Sequence, residues 1–198
     1  MSLVDVKKIN LFPVEILRIV TDLDHQAITE YTLKHREKWD RYTTYHDQEL
    51  NKEWQAGLPD REKFELAIRE ASDEFVSRTK RKPFDKKYNN GHFLYYWVSV
   101  YDENDQHGSH NHPQSLIAGT YYPNVGSDSS SIQLECPYDQ NFMHDSQDGS
   151  ERLFNYKPNI GDMLMWPSWL YHRVPLQKKS DTRRIAISFN IDYEKHHD

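Results

Sequence analysis

Residues 110–113 read His-Asn-His-Pro, a third histidine stands sixty residues further on at His172, and Arg184 follows twelve residues after that. Imidazole is a borderline ligand that suits iron without help from a carboxylate. Two histidines with one residue between them point their rings to the same face if they lie on a strand. A distant third imidazole completes a facial set and leaves neighbouring coordination positions open for a chelating co-substrate and for oxygen. Two near histidines, a far one and then an arginine is the order in which a β-barrel assembles a non-haem iron site. The pattern points to a metalloenzyme.

Those residues need strands to hold them, and the chain from Gly91 onward supplies a period of two. Short β-rich runs at 93–101, 115–122, 131–135, 152–154, 162–166, 171–175 and 184–191 alternate with turn-forming stretches such as Pro123-Asn124 and Asp148-Gly149-Ser150. On the last run Arg184, Ala186, Ser188 and Asn190 share one face, while Ile185, Ile187 and Phe189 share the other. An arginine aimed into a barrel needs a partner, because an isolated buried charge is very costly. A carboxylate fits the guanidinium fork in bidentate fashion. Arg183, on the opposite pleat, is the reserve candidate.

The first 90 residues read mostly as helix after one early strand, Val14–Val20. Asp22 and Asp24 offer caps for a helix running through Leu33 towards Trp39. Phe64, Ala67, Ile68, Ala71 and Phe75 recur at helical spacing and form one apolar stripe, with Pro83 as its terminator. Helices of this kind pack on the outside of a sheet. The whole chain is expected to form a single domain, 1–198, mainly β with α: a small sandwich or barrel carrying helices on one face. Trp97, Trp166, Trp169, Tyr95 and Tyr96 are expected in its core.

Charge argues against a nucleic-acid partner. Residues 1–90 hold 17 basic and 17 acidic side chains, whereas 91–198 hold 8 and 14, which accounts for the whole net charge of −6. An acidic half around the site is a poor footprint for phosphate backbones. The basic cluster Arg78, Lys80, Arg81, Lys82, Lys86 and Lys87 reads as the cationic end of a helix. The longest apolar run, Phe93–Val98, is far short of the roughly 20 residues that span a membrane. One cysteine, Cys136, excludes an internal disulfide and has no neighbouring base to activate it. With no signal-like N-terminus, a cytoplasmic location is expected. The oligomeric state stays open between monomer and homodimer.

The second half resembles the double-stranded β-helix (jelly-roll, cupin-like) oxygenases that use Fe(II) and 2-oxoglutarate. The resemblance rests on Trp97-Val98-Ser99, His110-Asn-His112-Pro-Gln-Ser115, Gly119-Thr-Tyr121-Tyr122, Gly161 to His172, and Arg184 to Asn190, in matching order over residues 91–191. Ser99, Trp166 and Ala186 depart from that family's asparagine, phenylalanine and serine. The resemblance implies Fe(II) held by His110, His112 and His172, with His112 where the wider class shows a carboxylate. It implies 2-oxoglutarate chelating the metal, its far carboxylate gripped by Arg184 with help from Ser188. Tyr101 and Tyr121 are further co-substrate candidates. Molecular oxygen and a peptide, amino acid or small metabolite complete the reactants, with hydroxylation of a C–H bond and release of succinate and CO2. His107 is assigned to a turn or the pocket wall. A cupin-type three-histidine metalloenzyme without 2-oxoglutarate would not need Arg184, and an inactive binding module would need none of the four.

Overall fold

The computed structural model describes residues 14–78, 94–137, 152–180 and 182–192. Strand β1 (Leu17–Val20) leads into three helices, α1 (His25–Arg36), α2 (Gln48–Ala56) and α3 (Arg61–Arg78). Eight strands follow: β2 (Leu94–Tyr101), β3 (His107–His110), β4 (Ser115–Asn124), β5 (Ile132–Glu135), β6 (Leu153–Tyr156), β7 (Asp162–Pro167), β8 (His172–Val174) and β9 (Arg184–Asp192). They form two antiparallel sheets, one ordered β1-β7-β4-β9-β2 and the other β3-β8-β5-β6. This is the expected mainly-β, double-stranded β-helix architecture.

Local chemistry sets the helix ends. The Asp24 carboxylate accepts from the Ala27 amide at 2.9 Å, and Asp47 does the same for Leu50 at 3.0 Å, satisfying donors that a helix start leaves unpaired. The stripe on α3 is buried at Phe64, Ile68, Ala71 and Phe75, as its spacing implies. Helix α2 was not separately legible, and the early strand is shorter than expected. Pro83 and the basic cluster beyond Arg78 lie outside the described residues.

Alternation on the five-stranded sheet builds two cores at once. Val98, Val100, Ile117, Tyr121, Met163, Ile185, Ile187 and Phe189 face the helices in one cluster. Tyr101, Ala118, Tyr122, Leu164, Trp166 and Ala186 face the second sheet in the other. Strand β2 is an edge, and residues 42–44 cover it: Val100 donates to the Tyr42 carbonyl at 2.7 Å and Thr44 to the Val98 carbonyl at 3.0 Å. Buried Asn51 clamps this segment, accepting from Thr44 Oγ1 at 2.7 Å and donating to the Tyr96 carbonyl at 2.9 Å. Covering an edge in this way blocks pairing with another chain.

Gly119 sits where the helix-facing side of β4 meets Phe189. A Cβ there would collide with the Phe189 ring and lie 2.7 Å from the Leu164 carbonyl oxygen. Gly119→Ala should therefore cost about 1–3 kcal/mol by overpacking, read as a lower urea midpoint at unchanged slope. Adding Phe189→Leu should recover part of the loss. A midpoint unmoved by the single substitution would contradict this packing.

Candidate functional site

His110 ends β3 and His172 opens β8, and the two stand opposite each other across the antiparallel pair. The strand carrying His107 and His110 is not evident from the sequence, since His-Gly-Ser-His has weak β character, while His107 lines the cavity wall. His112 is not on a strand. It lies in the turn before β4, where its amide donates to the Ser168 carbonyl at 2.9 Å. The Ser168 hydroxyl in turn donates to the Ser115 carbonyl at 2.5 Å. Thus the Pro167-Ser168 corner holds the second histidine, while the strand register holds the first and third.

The three rings converge. Ligand atoms of His110, His112 and His172 all lie within 4.8 Å of one another. The Nδ1 of His110 donates to the Gly108 carbonyl at 2.8 Å, and that of His172 to the Leu170 carbonyl at 3.0 Å. Such bonds fix the tautomer and leave Nε2 with a free lone pair. The Nε2 atoms of His112 and His172 are 3.2 Å apart, near the separation of about 3 Å expected for two neighbouring ligands each at roughly 2.1 Å from one ion. These imidazoles could hold a divalent metal.

Burial keeps them neutral. Desolvation, reinforced by the other histidines, lowers His172 to about 3 and His112 to about 4. His107, stacked on His110 with centroids 4.2 Å apart, falls to about 4 for the same reason, with Arg184 adding repulsion. His110 is lowered as well, mainly by burial.

Beyond the histidines the cavity reaches Arg184, only 1 % exposed. Its guanidinium carbon lies 4.6 Å from the Tyr101 ring centroid and 5.2 Å from that of Tyr122. Its Nε and Nη1 have no hydrogen-bond partner among the described residues, and neither do the buried Tyr122 Oη and Trp166 Nε1, which line the same cavity. Burial raises both phenols, with the arginine cation opposing the shift, so they remain neutral. Ser188 shares the wall and bonds Thr120 hydroxyl to hydroxyl at 2.8 Å. By contrast Arg183 is half exposed and pairs with Asp102 at 2.8 Å.

Two expectations need correction. Tyr121 faces away from the cavity, bonded to His25 Nδ1 at 2.6 Å and packed on Phe64. It belongs to the odd-numbered side of β4, whereas Thr120 and Tyr122 face inward. Trp169 is half exposed rather than core. Tyr122 and Trp166 are cavity residues that sequence reasoning missed. The signal for Tyr122 was the pleat itself, once Thr120 pairs with Ser188 in register.

Residues 95–190 match the family model described as "Putative 2OG-Fe(II) oxygenase". The match spans 96 of the 198 residues and supports a 2OG-Fe(II) oxygenase, an oxidoreductase that uses Fe(II) and 2-oxoglutarate. The neutral imidazoles and orphaned donors are a set that such groups fit. The oxygenase is similar in fold to SnoK, a non-heme alpha ketoglutarate dependent carbocyclase from nogalamycin biosynthesis. Identity there is 10 % over 90 % of this chain and 80 % of that one, with a TM-score of 0.58. A Pseudomonas putida prolyl-4-hydroxylase follows at 10 % identity over 90 % and 92 %, TM-score 0.54. HygX from Streptomyces hygroscopicus, solved with iron bound, gives 11 % over 92 % and 83 %, TM-score 0.52. No curated protein matches the sequence.

The lowered imidazoles predict an acid-sensitive fold. An unfolded histidine binds its proton near 6.5, whereas native His112 and His172 refuse it down to about 4 and 3. The unfolded chain therefore binds more protons in that window, so stability rises with pH. The metal-free oxygenase should lose melting temperature steadily as pH falls from about 7 to about 5, and His172→Gln should flatten the slope. A flat profile in the unsubstituted protein would contradict the burial assigned to these rings.

Proposed function

We propose that the oxygenase couples decarboxylation of 2-oxoglutarate, yielding succinate and CO2, to hydroxylation of a C–H bond in a small-molecule or peptide substrate. One observation carries this reading: four unpartnered polar atoms on Arg184, Tyr122 and Trp166 line the cavity that also holds the three imidazoles. A metal alone would leave the arginine end unanswered. A dicarboxylate answers both ends.

In this reading His110, His112 and His172 hold Fe(II), which when bound supplies the oxidising chemistry with oxygen and the co-substrate. The Nδ1 bonds to Gly108 and Leu170 aim two of the rings. Arg184 receives the far carboxylate as a fork, flanked by Tyr101 and by the Tyr122 hydroxyl. Trp166, whose ring lies 4.8 Å from that of His172, supplies a donor nearer the metal end. Ser188 and Thr120 give the polar wall between. Apolar walls from Ile132, Val174 and Ala186 exclude water from the space between them. The fold neighbours include both a hydroxylase and a carbocyclase, so product analysis must show gain of an oxygen atom.

The test is anaerobic addition of Fe(II) and 2-oxoglutarate, followed by visible absorption for their charge-transfer band and by succinate formation on admitting air. Arg184→Gln should raise the 2-oxoglutarate requirement about 30-fold to several thousand-fold, the cost of losing a charged partner in a desolvated site, with metal affinity nearly unchanged. His172→Ala should abolish the band. Unaltered 2-oxoglutarate dependence in Arg184→Gln would overturn the co-substrate assignment, and an intact band in His172→Ala would overturn the metal assignment.

A further inference from the structure

The inner cavity opens past His110 and His112 into a second pocket, and its walls differ in kind. Tyr42, Tyr45 and Trp97 line it together with Asn111 and Asn190. Among the described residues no Asp, Glu, Lys or Arg lines it. Tyr45 is 45 % exposed, and its ring meets the buried Trp97 with centroids 4.9 Å apart at 60°. Trp97 in turn lies 5.9 Å from the His112 ring. An aromatic path thus runs from solvent to the histidine cluster.

Asn190 adds the second observation. It continues the inward face of β9 two residues beyond Ser188, and its buried side-chain oxygen has no hydrogen-bond partner among the described residues. A buried acceptor left without a donor is costly, and satisfied acceptors are the rule. The pocket therefore presents π faces for a ring and one carbonyl awaiting a donor, in surroundings that offer no countercharge to an ion.

One wall of this mouth lies outside the family match. The family match covers residues 95–190, whereas Tyr42, Tyr45 and His46 come from the segment that covers the β2 edge. Backbone bonds to β2 and the side-chain clamp through Asn51 and Thr44 hold that segment in place.

Resting on the oxygenase reading above, we propose that the primary substrate is an uncharged, ring-bearing molecule that stacks on the exposed Tyr45 ring beside Trp97 and donates an N–H or O–H to Asn190 Oδ1. Aromatic contact contributes beyond buried area, and a site built around a hydrogen bond discriminates strongly against an analogue that lacks it. Tyr45, from outside the matched segment, then sets specificity together with Asn190 from within it, while the histidines and Arg184 carry the shared chemistry.

Saturation-transfer NMR on the full chain, loaded with Zn(II) and saturating 2-oxoglutarate, tests this without turnover. The probes are phenol and indole, their donor-free partners anisole and N-methylindole, and the charged benzoate and benzylammonium. Phenol and indole should bind best, and Tyr45→Ala should weaken them by about tenfold or more, while Tyr45→Phe keeps the ring and the binding. Asn190→Leu should erase the preference for phenol over anisole. Should that variant not fold, the phenol–anisole comparison on the unsubstituted protein decides the same point. Benzoate or benzylammonium binding as well as phenol, anisole equalling phenol, or indifference to Tyr45→Ala would each overturn the proposal. Co-substrate occupancy, measured in parallel, separates the two readings. Tyr45-dependent phenol binding without 2-oxoglutarate binding would sink the oxygenase reading alone, and the reverse would sink the mouth alone.

Discussion

A guanidinium 1 % exposed, with two of its nitrogens unpartnered, is the constraint on which the rest of this structure turns. Burying a charge without its partner is among the costliest arrangements a protein can hold. The surroundings soften the cost only in part, through the rings of Tyr101 and Tyr122 on which the cation rests. Among the described residues no ion pair reaches it, and nearby Asp102 pairs instead with Arg36 and Arg183. In the proposed reading the cavity takes an anion that is brought in, and three neutral imidazoles line its other end.

The same pleat that buries Arg184 builds the core. On β9 the residues between the inward ones are Ile185, Ile187, Phe189 and Ile191, all packed against the helices. A slip of one residue in the β4–β9 register would place isoleucines in the cavity and the arginine on the helix-facing side of the sheet. Packing and chemistry are thus secured by one hydrogen-bond ladder, and Gly119 is the point where that ladder admits no side chain on the helix side. The helices contribute to function indirectly, by fixing the sheet and by carrying the segment that lines the mouth.

Much of this was legible in the chain. Alternation alone placed Arg184 and Ser188 on the cavity face and the isoleucines opposite, and helical spacing identified the buried stripe of α3. Motif order supplied the three histidines. What escaped depended on register or on distant contacts. Tyr121 and Tyr122 are adjacent residues of equal character, and only the pairing of Thr120 with Ser188 tells which one looks inward. Strand β3 has no β-branched residue and exists because β8 offers it a partner. Trp166 reads as core until its unpartnered indole nitrogen is seen in the cavity. The mouth unites residues 42–46 with Trp97 and Asn190, a juxtaposition that no local pattern announces.

The account stands on three imidazoles sharing one iron at the end of the cavity opposite Arg184. X-ray absorption at the iron edge, on the anaerobic Fe(II) protein before and after adding 2-oxoglutarate, tests that most directly. Three imidazole shells with nitrogens at about 2.0–2.2 Å, retained while two oxygen scatterers replace water on addition of the co-substrate, are expected. A spectrum fitted by two imidazoles and a carboxylate, or one left unchanged by 2-oxoglutarate, would contradict it.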